Sequence, residues 1–201
     1  WSGTTAPTVA FGRGYSLTAM QATSVFATIA NNGVRVSPTV IAGTRDSSGS
    51  FSPTKTQTSQ RVISEDTAVK MRLMMENVVS AQGTAPSAAI PGYRVAGKTG
   101  TATRYDQNTG RYSGYTASFI GFAPADAPKY VISVTLQDPR NGHYGGALGG
   151  PVFKKVMSFV LQSKHIAPTN TVMQPVALNQ EELSKMEVTA VSNEKSGTVR
   201  R

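Results

Sequence analysis

Apolar residues first fall into a helical rhythm after Thr18. Met20, Ala22, Val25, Phe26, Ile29 and Ala30 recur at spacings that line one helix face, Thr18 stands where an N-cap belongs, and Asn31-Asn32-Gly33 supplies a stop. Residues 1–16, rich in Gly and Thr, predict a loop. From Val34 to Arg45 β-branched residues and a proline suggest an edge strand, and the turn Asp46-Ser47-Ser48-Gly49-Ser50 makes 34–58 a loose hairpin. Ser64 opens a second helix with Glu65 and Asp66 in its first turn, where negative charge suits the helix dipole. Its apolar face is Ala68, Met71, Met74, Met75, Val78 and Val79, a methionine-rich core filling, and Gly83 ends it. The period then changes to two, so that Tyr93–Thr103, Tyr115–Ala123 and Tyr130–Gln137 read as strands. Arg104–Gly114 is a long polar loop between the first two, and Pro124–Lys129 is short enough for an antiparallel hairpin. Gly142–Gly150 reads as a glycine-rich loop, and Pro151 as the first residue of a third helix whose face is Val152, Phe153, Val156, Met157, Val160 and Leu161.

This order predicts an α+β fold, an antiparallel sheet with packed helices. One domain over residues 1–163 is followed by a polar, mobile tail over 164–201, with a short helical stretch at 179–187. Composition adds constraints. The chain has 201 residues, 39% apolar and 15% charged, with Ser, Thr, Gly and Pro filling the gap, as suits a sheet protein with many turns. Its net charge of +9 favours anionic partners but is spread without a run of five basic residues, which argues against a nucleic-acid partner. The absence of cysteine excludes disulfides, thiolate zinc sites and a cysteine nucleophile. Two distant histidines without an acidic cluster argue against a metal site, and no βαβ nucleotide unit is visible. There is no apolar run of membrane-spanning length and no signal-peptide pattern. A chain starting at Trp1 reads as a fragment or processed product with any targeting segment upstream.

Candidate chemistry concentrates in Val95-Ala96-Gly97-Lys98-Thr99-Gly100-Thr101-Ala102, inside the first predicted strand. Strand alternation puts Lys98 and Gly100 on one face, Thr99 and Thr101 on the other. Glycine in mid-strand weakens it unless something must approach the backbone closely. Lys98 brings positive charge, the two threonine hydroxyls can donate to a carboxylate, and the Thr101 N–H is a candidate oxyanion donor. The Lys-Thr-Gly triplet alone is weak, since roughly one chain in twenty of this length carries it by chance at average composition. It also belongs to the motif set of penicillin-binding proteins and class A β-lactamases.

Four segments in order make the signal specific. Gly92-Tyr93-Arg94-Val95-Ala96-Gly97-Lys98-Thr99-Gly100-Thr101-Ala102 resembles the third motif of class B penicillin-binding proteins. Upstream, Phe11-Gly12-Arg13-Gly14-Tyr15-Ser16-Leu17-Thr18-Ala19-Met20-Gln21 resembles that family's Phe-Gly-x-Gly…Thr-Pro-x-Gln segment, with Ala19 in place of proline, and residues 26–33 are similar to the helix that follows it. Downstream, Phe119-Ile120-Gly121-Phe122-Ala123-Pro124 and Tyr144-Gly145-Gly146…Pro151-Val152-Phe153 match in order, so the resemblance covers residues 10–163. It implies the C-terminal part of a serine transpeptidase/β-lactamase-like domain, nearest the septal, cell-division type, with the elongation type still open. The implied reaction is acyl transfer from D-Ala-D-Ala stem peptides of peptidoglycan, trapped by β-lactams. By carry-over, Lys98 maintains the site's polar and proton network, Thr99 and Thr101 bind the substrate carboxylate, the Thr101 N–H forms half of the oxyanion hole, and Gly100 keeps the groove open. The resemblance also implies an upstream membrane anchor, a catalytic domain on the extracytoplasmic side of the cell membrane, septal-synthesis proteins as partners, and no cofactor.

The family's Ser-x-x-Lys and Ser-x-Asn motifs precede its Phe-Gly segment and are therefore expected upstream of Trp1. Ser52-Pro53-Thr54-Lys55 matches the first by letters, but it lies in a Ser/Thr-rich hairpin rather than at a helix N-terminus, and Ser192-Asn193-Glu194-Lys195 lies in the tail. The chain is therefore expected to carry the carboxylate half of a site without its nucleophile, and to be inert alone. A non-catalytic β-lactam or cell-wall binding module of the same fold stays open beside the enzyme, as does water in place of an amine acceptor. His143 reads as a solvated loop residue or a rim contact, His165 as exposed, Tyr105, Tyr112 and Tyr115 as packing around the polar loop, and Arg140 as a local partner of Asp138.

Overall fold

The computed structural model describes residues 2–10, 12, 14–54, 59–106 and 109–169. The elements run α1 (Thr5–Ala10), α2 (Ala19–Ala30), β1 (Gly43–Arg45), β2 (Phe51–Pro53), α3 (Glu65–Asn77), a 3-10 turn (Pro86–Ala88), β3 (Ala96–Asp106), β4 (Arg111–Ala123), β5 (Tyr130–Gln137) and α4 (Gly145–Ser163). β3, β4 and β5 form one antiparallel sheet in that order, with Thr99 opposite Phe119 and Phe119 opposite Val134.

Strand alternation divides the core between the two faces of this sheet. Val95, Phe119, Val134 and Ala123 face α4 and meet its Phe153, Met157 and Leu161. Ala96 and Phe122 face the other way, against Ile29 of α2 and Met75 of α3. The sheet is thus the middle of three layers, helix, sheet and helix pair. Phe119 and Phe153 meet edge to face with centroids 4.9 Å apart, a favoured aromatic geometry, and both are fully buried.

Several local expectations hold for local reasons. Thr18 caps α2 through a reciprocal box with Gln21, and Ser64 caps α3 by accepting from the Thr67 N–H at 3.1 Å. Other boundaries differ. Residues 1–16 include α1, whose Pro7 falls in the first turn, where its missing N–H costs nothing. The 34–58 hairpin shrinks to β1 and β2, and its turn closes on Asp46, whose carboxylate accepts from the Ser48 hydroxyl at 2.6 Å and from the Ser48 and Ser50 N–H groups. Those hydrogen bonds, the Ser48 hydroxyl first, hold the Asp46 carboxyl below its ordinary value. α3 ends at Asn77, not Gly83: the chain beyond it forms turns, and the Val78 carbonyl accepts from the Ala85 N–H at 2.8 Å. Met74 of its expected apolar face is exposed, while Glu76 is buried.

The larger corrections concern the second half. The predicted polar loop 104–114 is mostly ribbon: β3 continues to Asp106 and β4 starts at Arg111, with a register shift between Thr103 and Tyr105 and a Tyr105–Tyr112 cross-strand pair. The predicted glycine-rich loop is helical from Gly145, and Pro151 lies inside α4 rather than at its start. An interior proline forfeits a helix hydrogen bond. Burial of Phe153, Met157 and Leu161 beyond it offsets the loss, and the glycines before it let the helix descend onto the sheet. Residues 164–169, assigned to the tail, turn back on the domain: the Tyr93 hydroxyl donates to the Ile166 carbonyl at 2.6 Å, and the Thr169 N–H donates to the Gly92 carbonyl at 2.9 Å. The remainder of the expected tail, including 179–187, lies outside the described residues.

One ion pair fastens the entry to β3. Arg94 grips Glu76 of α3 with two hydrogen bonds, Nε to Oε2 at 2.8 Å and Nη2 to Oε1 at 2.6 Å, and the Glu76 side chain is only 3% exposed. The Glu76 hydrogen bonds raise the Arg94 pKa above its ordinary value, with burial opposing them. Charge is tolerable at such depth only because the fork of the guanidinium satisfies both carboxylate oxygens.

Candidate functional site

Four of the residues singled out in the sequence, Lys98, Thr99, Gly100 and Thr101, are consecutive in β3, which forms one edge of its sheet among the described residues. Thr99 and Thr101 face the side covered by α4, and the Thr101 hydroxyl reaches the start of that helix. The Gly145 N–H donates to Thr101 Oγ1 at 3.2 Å. Thr99 Oγ1 lies 3.1 Å from Thr84 Oγ1. Lys98 leaves the strand on the opposite face, and its Nζ donates to the Thr99 carbonyl at 2.9 Å, with Thr99 Oγ1 at 3.4 Å.

Close approach of α4 creates this arrangement. A Cβ on Gly145 would collide with the Ser118 and Gly100 carbonyl oxygens, and one on Gly146 with the Thr84 carbonyl oxygen. The helix can therefore lower its first turn onto β3 and β4 only with glycine at both positions. The result is an open groove of about 410 Å³ lined by Thr84, Thr99 and Thr101 on one side and by Tyr144, Gly145, Gly146 and Ala147 on the other. Its helical wall is the positive end of a 19-residue helix whose first-turn N–H groups lack intrahelical partners, and Tyr144 at the N-cap offers no side-chain cap. Hydroxyl donors, first-turn N–H groups and an adjacent ammonium suit an anionic group of carboxylate size.

Gly100 lies opposite Ser118, on the face away from α4, and a Cβ there would strike the Ser118 hydroxyl oxygen. The rim of the groove is aromatic. His143 stacks on Tyr115 with centroids 4.5 Å apart and packs at a tilt against Tyr144 at 4.2 Å, so it supports a groove-lining ring. Tyr105 and Tyr112 meet edge to face farther along the ribbon. Asp138 takes Arg104 as its ionic partner, at 3.7 Å, in place of the expected Arg140. Ser52 lies exposed in β2, and among the described elements β1 and β2 pack only against each other; Lys55 of the same four-residue match is outside the described residues, as are Phe11 and Arg13 of the Phe-Gly segment. No group of three potential metal-ligating residues is present among the described residues.

Two contributors escape the sequence reading. The first turn of α4 was hidden by its composition, although glycines at 145, 146, 149 and 150 repeat at a helical interval and mark a face stripped for close packing. Thr84 carried no signal of its own.

Residues 1–158 match the family model described as penicillin binding protein transpeptidase domain. Penicillin-binding protein PbpB of Mycolicibacterium smegmatis is 37% identical over 176 residues, which are 83% of this chain and 27% of that protein. Peptidoglycan D,D-transpeptidase FtsI of Escherichia coli is 35% identical over 177 residues, 84% of this chain and 27% of the relative. Among solved structures, penicillin-binding protein 3 of Mycobacterium tuberculosis complexed with ampicillin superposes with a TM-score of 0.80 at 35% identity, covering 89% of this chain and 42% of that one. The chain thus spans about a quarter of the length of these curated relatives.

Proposed function

The chain belongs to the penicillin-binding protein transpeptidase domain family, and from that premise we propose that its groove is the carboxylate-binding part of a serine D,D-transpeptidase site in a longer, peptidoglycan cross-linking protein. The observation that carries the proposal is the convergence of Thr99, Thr101 and the first turn of α4 on one groove, with Lys98 Nζ 3.4 Å from Thr99 Oγ1. A stem peptide ending in D-Ala-D-Ala places its terminal carboxylate against Thr99 and Thr101. The serine oxygen bonds to the carbonyl carbon of the penultimate D-alanine while the peptide bond breaks. The terminal D-alanine leaves with a proton on its amine. An amine of a neighbouring stem peptide then displaces the serine and closes the cross-link. The Thr101 N–H stabilises the developing oxyanion, and Lys98 supports the polar network that moves the proton. Because Ser52 sits on a hairpin that packs against no other described element, the nucleophile is a serine of the longer protein outside these 201 residues.

A β-lactam carries its own carboxylate into the same groove and stops the sequence at the acyl-enzyme. Similarity to the relatives named above supports a role in cell-wall synthesis, and the family resemblance of the four sequence segments supports the septal setting with division proteins as partners. A membrane anchor and an extracytoplasmic catalytic domain belong to the same proposal; among the described residues, no helix is long and apolar enough to cross a membrane. Intact-mass measurement after ampicillin treatment of the full-length parent protein tests it. The expected result is one covalent adduct, formed about a hundredfold more slowly in Lys98→Ala, within the range typical of lost acid–base support. No adduct on the parent would turn the reading to a non-catalytic module, and an adduct on Ser52 would overturn the assignment of the nucleophile.

A further inference from the structure

We propose that Thr84 is a positioning residue that turns the Thr99 hydroxyl proton toward the ligand carboxylate. The inference rests on the groove being the carboxylate site. Thr84 lies in the turn between α3 and the 3-10 turn, and its Oγ1 is 3.1 Å from Thr99 Oγ1.

The turn holds this hydroxyl in place from both sides. The Gly83 N–H donates to the Ser80 carbonyl at 2.9 Å, the Ala85 N–H donates to the Val78 carbonyl at 2.8 Å, and Ala85 is fully buried. The Ser87 hydroxyl donates to the Gly146 carbonyl at 3.0 Å, tying the same turn to the first turn of α4. Thr84 nevertheless stays exposed and lines the groove. Fixing an exposed threonine through the backbone around it is the support a positioned polar group needs.

Proton accounting gives the pair a direction. A hydroxyl has one proton and two acceptor lone pairs, and an ammonium only donates. Thr101 Oγ1 already accepts from the Gly145 N–H, so its own proton is free for a ligand. Among the described residues Thr99 Oγ1 has no such backbone donor; Lys98 Nζ donates to it at 3.4 Å, and Thr84 Oγ1 is its other partner. When Thr84 donates to Thr99, Thr99 accepts from within and its single proton points outward. When Thr99 donates to Thr84, that proton is used up. An arriving carboxylate selects the first arrangement, and the chain Thr84, Thr99, carboxylate strengthens along its length. Thr84 thus does for Thr99 what the Gly145 N–H does for Thr101.

The test measures the second-order rate of acylation by ampicillin in the full-length parent and its Thr84→Val, Thr84→Ser, Thr99→Val and Thr84→Val/Thr99→Val variants, with thermal unfolding of each. Thr84→Val is expected to slow acylation roughly tenfold, the effect of one hydrogen bond serving a charged group. Serine at this position recovers most of the loss. In the Thr99→Val background, removing the Thr84 hydroxyl adds less than about twofold, because its effect passes through Thr99. Unfolding temperatures stay level, since valine matches threonine in shape at an exposed position. Acylation of Thr84→Val at the parent rate, or an undiminished loss in the Thr99→Val background, would overturn the inference while leaving the groove intact. An unmodified parent that ampicillin fails to acylate would remove the groove assignment itself, and this inference with it.

Discussion

β3 and β4 are one antiparallel ladder with two characters. Between Ala96 and Thr101 the ladder is pressed between α4 on one face and α2 with α3 on the other; Ala96, Ala117, Phe119 and Phe122 are fully buried there. From Thr103 onward the same two strands leave the helices and run on as a ribbon, where Tyr105 is 57% and Tyr112 72% exposed. Backbone pairing is continuous apart from one register shift, so backbone hydrogen bonding does not set the two halves apart. Packing does. Thr99 and Thr101 sit where the clamped half gives way to the free one: rooted in buried neighbours, yet open to a ligand along one edge. A binding group gains accuracy from a rigid base and access from an exposed rim, and this junction supplies both.

Substitutions on the two halves should therefore differ in scale. Arg94→Ala, at the root of the clamped half, strands the buried Glu76 carboxylate and is expected to cost about 3–5 kcal/mol in denaturant unfolding. Arg104→Ala on the ribbon breaks a half-exposed pair and is expected to cost no more than about 1 kcal/mol by the same measurement. Equal losses would erase the distinction. Gly145→Ala places a methyl against the Ser118 and Gly100 carbonyls; a loss of about 1–3 kcal/mol is expected together with slowed acylation, because the helix must lift from the groove. Tyr112→Ala removes a surface ring from the ribbon, and calorimetry should find a change within about 0.5–1.5 kcal/mol, the scale of an aromatic pair.

The smallest expected effect lies on the β1–β2 turn. The Asp46 pKa is lowered by its hydrogen bonds to Ser48 and Ser50, so the support it gives the turn is present above the ordinary aspartate range and is lost as pH falls through its depressed value. Carboxyl chemical shifts in a pH titration should place Asp46 below the ordinary value, and Ser48→Ala should move it back up. A titration at the ordinary value in both forms would contradict the turn geometry.

What could be read from the sequence follows from how far each cause reaches along the chain. The Thr18–Gln21 box and the Ser64 cap are local, and period-two alternation placed Thr99 and Thr101 on one face before any fold was known. The start of α4 was not legible, because four glycines and a proline argue against a helix on intrinsic preference, and only the carbonyls of β3, β4 and Thr84 explain them. The exposed ribbon reads as a loop in the sequence because a strand with no buried face loses its apolar alternation. The partnerships of Glu76 with Arg94 and of Thr84 with Thr99 join residues 18 and 15 apart, and no short pattern announces them.

The most direct measurement is the crystal structure of the full-length parent protein acylated by ampicillin. The account predicts the ligand carboxylate within hydrogen-bonding distance of both Thr99 Oγ1 and Thr101 Oγ1, facing the first turn of α4, with Thr84 Oγ1 still bonded to Thr99. A covalent adduct whose carboxylate points elsewhere, with neither threonine in contact, would contradict it.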